Sequence, residues 1–244
     1  MIDLPSFSVA EYANGNPDAE KVSIVIPGRL DTKDYIHIRS HVDHLAKLGY
    51  YALSFDPPGT WESPGQIDLY TSTNMQLVIK ELIAHLGSKP TTLVGHSRGG
   101  SHALLAGTTL PEVTHFAAIM SSVGPTIASK PAEGQVEHST RDLPPGSIRT
   151  TDKIAFDLPY TYFEDQEQYD ATELLKTCTK PKLFVAGSRD TTVPTTSIHA
   201  TYVVSADPKE FAEIDAEHDY RLDPDAINEV NVLLERFLKT YETA

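Results

Sequence analysis

The sequence predicts an α/β fold, a mostly parallel, twisted sheet of about six or seven strands with helices on both faces. Three observations carry this expectation. Short β-prone apolar runs alternate with helical periods for most of the length, as strands joined by helical crossovers do. The 244 residues suit one larger α/β domain with a substantial buried core. With 40% hydrophobic and 22% charged residues, the composition is that of an ordinary globular chain.

Taken in order, Ser6 to Tyr12 reads as an antiparallel edge strand, joined through the turn-rich Asn14-Gly15-Asn16-Pro17 to a first core strand, Val22 to Ile26. A helix over Tyr35 to Leu48 follows, with Ile38, Val42 and Leu45 as its apolar face, and then a strand, Tyr51 to Phe55. Met75, Val78, Ile79, Leu82, Ile83 and Leu86 recur at helical spacing, and Gly87 closes that helix. The strand Thr91 to Val94 leads through a glycine-rich turn into a helical run, Ser101 to Ala106, and the strand Phe116 to Met120 comes next. Two further strands, Lys182 to Ala186 and Glu210 to Ile214, precede a last helix with Asp223 as its cap and Pro224 as its first residue. Ile227, Val230, Leu234, Phe237 and Leu238 form its buried stripe. The alternation breaks over about 125–170, which is rich in Pro, Ser and Thr and ends in an aromatic and acidic passage. So long an interruption reads as a lid-like insertion over one end of the sheet, within a single domain spanning 1–244.

The net charge of −14 disfavours nucleic acid and anionic membrane surfaces, which are bound by clustered Lys and Arg, and leaves small molecules as the expected partners. No stretch approaches the ~20 apolar residues of a membrane span. Met1 to Pro5 shows no signal-peptide pattern. Cys178 is the only cysteine, so no internal disulfide is available, which fits a reducing, cytoplasmic setting. Its surroundings contain nothing to activate a thiol.

The most informative segment is Gly95-His96-Ser97-Arg98-Gly99-Gly100. Placed between a strand and a helix, it has the form of a serine nucleophile elbow, in which a strained turn lifts the hydroxyl above the sheet and the glycines leave room for the crowded chain. A serine nucleophile needs a base to take its proton and a carboxylate to orient that base. Asp190 follows the strand Lys182 to Ala186, and His218 follows the strand ending at Ile214, so both project from strand carboxyl ends where open α/β sheets keep their sites. Asp215, Glu217 and Asp219 are alternatives for the acid, although as sequence neighbours of His218 they point elsewhere on its loop.

The order Ser97, Asp190, His218 resembles that of the α/β-hydrolase superfamily over nearly the whole chain. The elbow, the acid-bearing loop Gly187-Ser188-Arg189-Asp190-Thr191-Thr192-Val193-Pro194 and Glu217-His218-Asp219 carry the resemblance, with Gly49-Tyr50-Tyr51-Ala52-Leu53-Ser54-Phe55-Asp56 followed by Pro57-Pro58-Gly59-Thr60 similar to the family's second-strand region. His96 resembles a family packing position. The resemblance implies an esterase-like serine hydrolase with a small lid, in which the amide of Arg98 is one oxyanion donor and the loop Pro27-Gly28-Arg29-Leu30-Asp31 supplies the other. Residue by residue, Arg29 falls on the donor position. Pro27 replaces the histidine many relatives carry, so Leu30 is a possible donor too. Both Arg29 and Arg98 have unusual side chains for these positions. A structural ion pair with Asp31, Asp56 or Glu62 is the ordinary role for each, and holding a substrate carboxylate is the alternative.

Trp61, Phe156, Tyr160, Tyr162, Phe163 and Tyr169 are candidates to line a substrate pocket beneath the insertion, with Trp61, Tyr160 and Tyr162 the leading three. His37, His41 and His44 share helical spacing, but the apolar face lies elsewhere, so they are expected on a boundary or solvent face and no metal site is assigned. No nucleotide-binding glycine motif is present, and no cofactor is expected. The functional expectation is a cofactor-independent, carboxylesterase-like hydrolase of short to medium acyl chains. Thioester, amide, lactone or carbon–carbon hydrolysis, perhydrolysis and acyl transfer use the same triad, and a low-turnover small-molecule receptor uses the same fold.

Overall fold

The computed structural model describes residues 1–124 and 130–241. In chain order the strands are β1 (Ile2–Asp3), β2 (Ser8–Val9), β3 (Glu11–Asn14), β4 (Val22–Ile26), β5 (Tyr51–Phe55), β6 (Thr91–His96), β7 (Val113–Ile119), β8 (Val136–Asp142), β9 (Lys153–Pro159), β10 (Lys182–Gly187) and β11 (Lys209–Ile214). The helices are α1 (Ile36–Lys47), α2 (Ser72–His85), α3 (Arg98–Thr109), α4 (Tyr160–Gln166), α5 (Thr172–Leu175), α6 (Thr195–Val204) and α7 (Pro224–Tyr241). Seven strands form the main sheet in the order β11-β10-β7-β6-β4-β5-β3, parallel throughout except for β3, which runs antiparallel to β5.

Burial follows this order. The central strands β4, β6 and β10 are buried along their whole length, as strands covered on both faces must be. The edge strands β3 and β11 are only half-buried. One face of the sheet packs against α2, α3 and α6 through Val78, Leu82, Leu104 and Ile198, and the other against α1 and α7 through Ile38, Val42, Val230 and Phe237. Each such side chain contributes about 1.5–3 kcal/mol by leaving water. Asp223 caps α7 by accepting from the amides of Asp225 and Ala226. No helix among the described residues is long and apolar enough to cross a membrane.

Two expectations change. The segment Ser6 to Tyr12 is not one edge strand: β2 pairs with β1 in a separate ribbon, and only β3 joins the sheet. The break falls at Ala10, whose amide is taken by Ser63 Oγ at 2.9 Å instead of a ladder partner. The interruption after β7 is also more regular than its composition suggests. Its first residues, 125–129, lie outside the described residues, but β8 and β9 form an antiparallel hairpin that runs into α4. Along β8 exposed positions alternate with partly buried ones, so its apolar content is too low to announce a strand.

Candidate active site

Ser97 sits between the last residue of β6 and the first of α3, with φ 52° and ψ −123°. A non-glycine residue held there stores strain of about 1–3 kcal/mol, which the surrounding packing must hold in place. The packing is tight. A Cβ on Gly95 would lie 2.1 Å from the Gly99 carbonyl oxygen, and one on Gly99 would lie 2.2 Å from that of Ile26. Ser97 N donates to the Ile119 carbonyl at 2.9 Å, tying the turn to β7.

The loops after β10 and β11 bring Asp190 and His218 to this turn. His218 Nε2 lies 2.8 Å from Ser97 Oγ, and Asp190 Oδ2 lies 2.8 Å from His218 Nδ1. The Asp190 carboxylate is fully buried, and its second oxygen accepts from the amides of Thr192 and Val193 at 2.8 and 2.9 Å. Burial favours the neutral acid, but the hydrogen bonds from His218, Val193 and Thr192 outweigh it and hold the carboxyl below its ordinary range. His96 Nε2 donates to the His218 carbonyl at 3.1 Å, so the histidine loop is braced from the end of β6. The other acids considered for this position are engaged elsewhere, Asp215 and Glu217 with Arg189 and Asp219 with Arg149.

The loop after β4 approaches the same turn. Leu30 has φ 58° and is held on both sides: its amide donates to Tyr70 Oη at 2.9 Å, and its carbonyl accepts from Trp61 Nε1 at 3.0 Å. Arg29's carbonyl accepts from Arg141 of β8, through Nε at 3.0 Å and a terminal nitrogen at 2.6 Å. The peptide unit between Arg29 and Leu30 is therefore fixed at its oxygen and at its nitrogen. The Arg29 amide itself has no acceptor among the described residues. The Arg98 amide opens α3, where a helix leaves its first N–H groups without intrahelical partners.

A cavity of about 320 Å³ opens at Ser97, beneath β8, β9 and α4. Tyr162 and Phe163 line it, whereas Trp61 and Tyr160 do not. Trp61 instead packs in a small apolar cluster with Leu30, Tyr70 and Phe156, and Tyr160 lies against Lys130. The expected ion pairs are also redistributed. Arg29 pairs with Glu137 on the hairpin, a partner 108 residues away. Asp56 and Glu62 are taken by Lys33, and Asp31 faces Arg141 at 3.6 Å. Arg98 has no acidic partner among the described residues.

His37 and His41 are buried, contrary to the boundary or solvent face expected of them, because α1 is covered by α7 and by the turn at Tyr220 as well as by the sheet. His41 bonds the carboxamide oxygen of Asn231 at 2.6 Å and Tyr220 Oη at 2.7 Å. Asp31, His37 and His96 form a metal-type donor set whose ligand atoms lie within 4.8 Å of one another. A divalent ion placed there would face Arg141 and the charge of Arg221, so the set fits an ion poorly. Tyr70 and Arg141 are the supporting residues with no sequence signal, since both act through folded-chain neighbours far away in sequence.

The family model described as alpha/beta hydrolase fold matches residues 24–161. No curated protein sequence matches the chain. Among solved structures, Est1E from Butyrivibrio proteoclasticus with bound ferulic acid is similar at TM-score 0.80 and 19% identity, covering 100% of this chain and 99% of that one. The esterase domain of a Rhodothermus marinus protein follows at 0.72 and 18%, covering 96% and 93%. The Pyrococcus furiosus esterase Pf2001 is similar at 0.68 and 20%, again covering 96% and 93%. At such identities these likenesses speak to the fold alone.

Proposed function

Since the chain belongs to the α/β-hydrolase fold family, we propose that it hydrolyses carboxylic esters with Ser97 as nucleophile. The carrying observation is the run of two 2.8 Å hydrogen bonds from Asp190 through His218 to Ser97 Oγ. His218 Nε2 takes the hydroxyl proton as Oγ attacks the carbonyl carbon, and returns it to the departing alkoxide when the C–O bond breaks. Asp190 keeps Nδ1–H oriented and stabilises the imidazolium. Water then attacks the acyl-enzyme with His218 again as base, releasing the acid and restoring Ser97.

The oxyanion is received by the amides of Arg29 and Arg98, each worth about 3 kcal/mol in a preorganised site. Occupation of the Leu30 amide by Tyr70 favours Arg29 as the donor from its loop. The hairpin and α4 act as the lid, and the cavity of about 320 Å³ suits a short or medium acyl chain. The test is fluorophosphonate labelling of wild type and Ser97→Ala, followed by p-nitrophenyl esters of graded acyl length. Labelling of wild type alone, with ester turnover lost in Ser97→Ala, is expected. An unlabelled wild type, or a Ser97→Ala protein that turns over esters equally well, refutes it.

A further inference from the structure

The chain carries a net charge of −14, yet six cationic and only three acidic residues line the cavity at Ser97. Most of those cations are already answered. Arg29 pairs with Glu137, Arg141 with Asp31, Arg149 with Asp219, and both Arg221 and Lys153 with Asp142. Arg98 is the exception among the described residues. The residue is 8% exposed, one terminal nitrogen donates to the neutral Ser72 hydroxyl, and Nε has no acceptor among the described residues.

Among the described residues, its surroundings offer no compensating charge. Ser72 lies at the start of α2, where the Asp165 carboxylate is spent on the amides of Ser72 and Thr73 and on the Thr73 hydroxyl. His102 is fully buried, and desolvation together with the Arg98 charge holds its pKa well below the ordinary value, so it is neutral. Tyr70 is likewise held in its neutral form by burial. A desolvated guanidinium without an anionic partner is costly, and its planar fork matches a carboxylate in two-point geometry.

We propose that the Arg98 side chain receives a carboxylate carried by the substrate, so that the preferred substrates are esters bearing a second, free carboxylate a short chain away from the scissile carbonyl. The proposal rests on the hydrolase reading above, with Arg98 acting through its amide at the oxyanion and through its guanidinium at the substrate's anion. The acyl and alcohol portions are each able to bring such a group, and paired substrates separate them. Monoethyl glutarate is compared with ethyl hexanoate for the acyl side, and 4-acetoxybutanoate with pentyl acetate for the alcohol side, by pH-stat titration.

One charged ester is expected to exceed its neutral counterpart in kcat/KM by about tenfold or more. That ratio should collapse towards one in Arg98→Gln and be partly kept in Arg98→Lys, which retains the charge and loses the fork. Binding of free glutarate, followed by calorimetry, should weaken about tenfold in Arg98→Gln. A wild-type ratio near one on both sides, or a ratio unchanged in Arg98→Gln, overturns the proposal. If Arg98→Gln does not fold, Arg98→Lys decides: an undiminished ratio there overturns it. The two readings fail separately. An unlabelled protein that still binds glutarate through Arg98 refutes the hydrolase reading alone, whereas efficient hydrolysis of neutral esters without a charged preference refutes only the carboxylate receptor.

Discussion

Replacing Gly95 with alanine tests the close packing on which the elbow depends. The added Cβ would lie 2.1 Å from the Gly99 carbonyl oxygen and 2.5 Å from Gly100 N, where ordinary contact begins at 3.4 Å. Both obstacles are backbone, so no side-chain rotation relieves them, and the first turn of α3 must retreat by about 1 Å. Overpacking of this kind costs about 1–3 kcal/mol. For a chain of this length each kcal/mol lowers Tm by about 2–4 °C. Ser97 and the Arg98 amide move with that turn, and a displacement of about 1 Å lowers the rate of fluorophosphonate labelling by roughly 10²-fold. Gly87→Ala provides the comparison: at φ +84°, with only Lys89 Cε nearby at 3.9 Å, it meets backbone strain without a clash. It should lose about 1–2 kcal/mol and label at the wild-type rate. Scanning fluorimetry and single-turnover labelling measure the two effects. A Gly95→Ala protein that melts within about 1 °C of wild type and labels equally fast refutes the packing argument.

Asp190→Asn should lower kcat by roughly 10³–10⁴-fold in steady-state ester assays while the protein still folds, because the Thr192 and Val193 amides keep a carbonyl acceptor but His218 loses its tautomer control. Tyr70→Phe strips the Leu30 amide of its acceptor; it should cost about 1–3 kcal/mol in urea unfolding and lower kcat by about tenfold with KM little changed, as the Arg29 donor loosens. An unaltered kcat would detach Tyr70 from the oxyanion loop. Desolvation pushes the buried His41 down to about 4, against the opposing hydrogen bond from Asn231. The unfolded chain therefore takes up this proton first as pH falls, and the associated stability, complete above about pH 6.5, is lost on the way to pH 4. The loss attributable to His41 between pH 7 and 5 is ~2 kcal/mol, and urea unfolding of His41→Gln should show a correspondingly smaller decline.

What the sequence disclosed was local or repeated along one element. Val22 to Ile26 and Tyr51 to Phe55 read as strands because every position is apolar or small, and the structure places β4 and β5 over those same residues. The convergence of Ser97, Asp190 and His218 was legible because each follows a strand, and topology alone sends strand ends to one edge of a parallel sheet. The partners of Arg29 and Arg98 were hidden for the opposite reason. Glu137 reaches Arg29 only after a polar hairpin folds back, and Arg98's lack of an acid among the described residues emerges only once Asp31, Asp56 and Glu62 have been claimed by Arg141 and Lys33. The burial of His37 and His41 depends on α7, nearly two hundred residues downstream, closing over α1.

The Arg141 clasp on the Arg29 carbonyl ties the hairpin to the proposed oxyanion loop. Segments inserted at this point of a sheet are natural candidates for exchange when new selectivity is sought, since they look detachable from the chemistry below. Here a transplanted segment without an arginine at that register would leave the Arg29–Leu30 peptide anchored only by Tyr70, free to swing about its remaining tether. On the proposed reading, selectivity and turnover are then inherited together: trimming or swapping the cover to admit a larger acyl group would also slacken the proposed Arg29 donor.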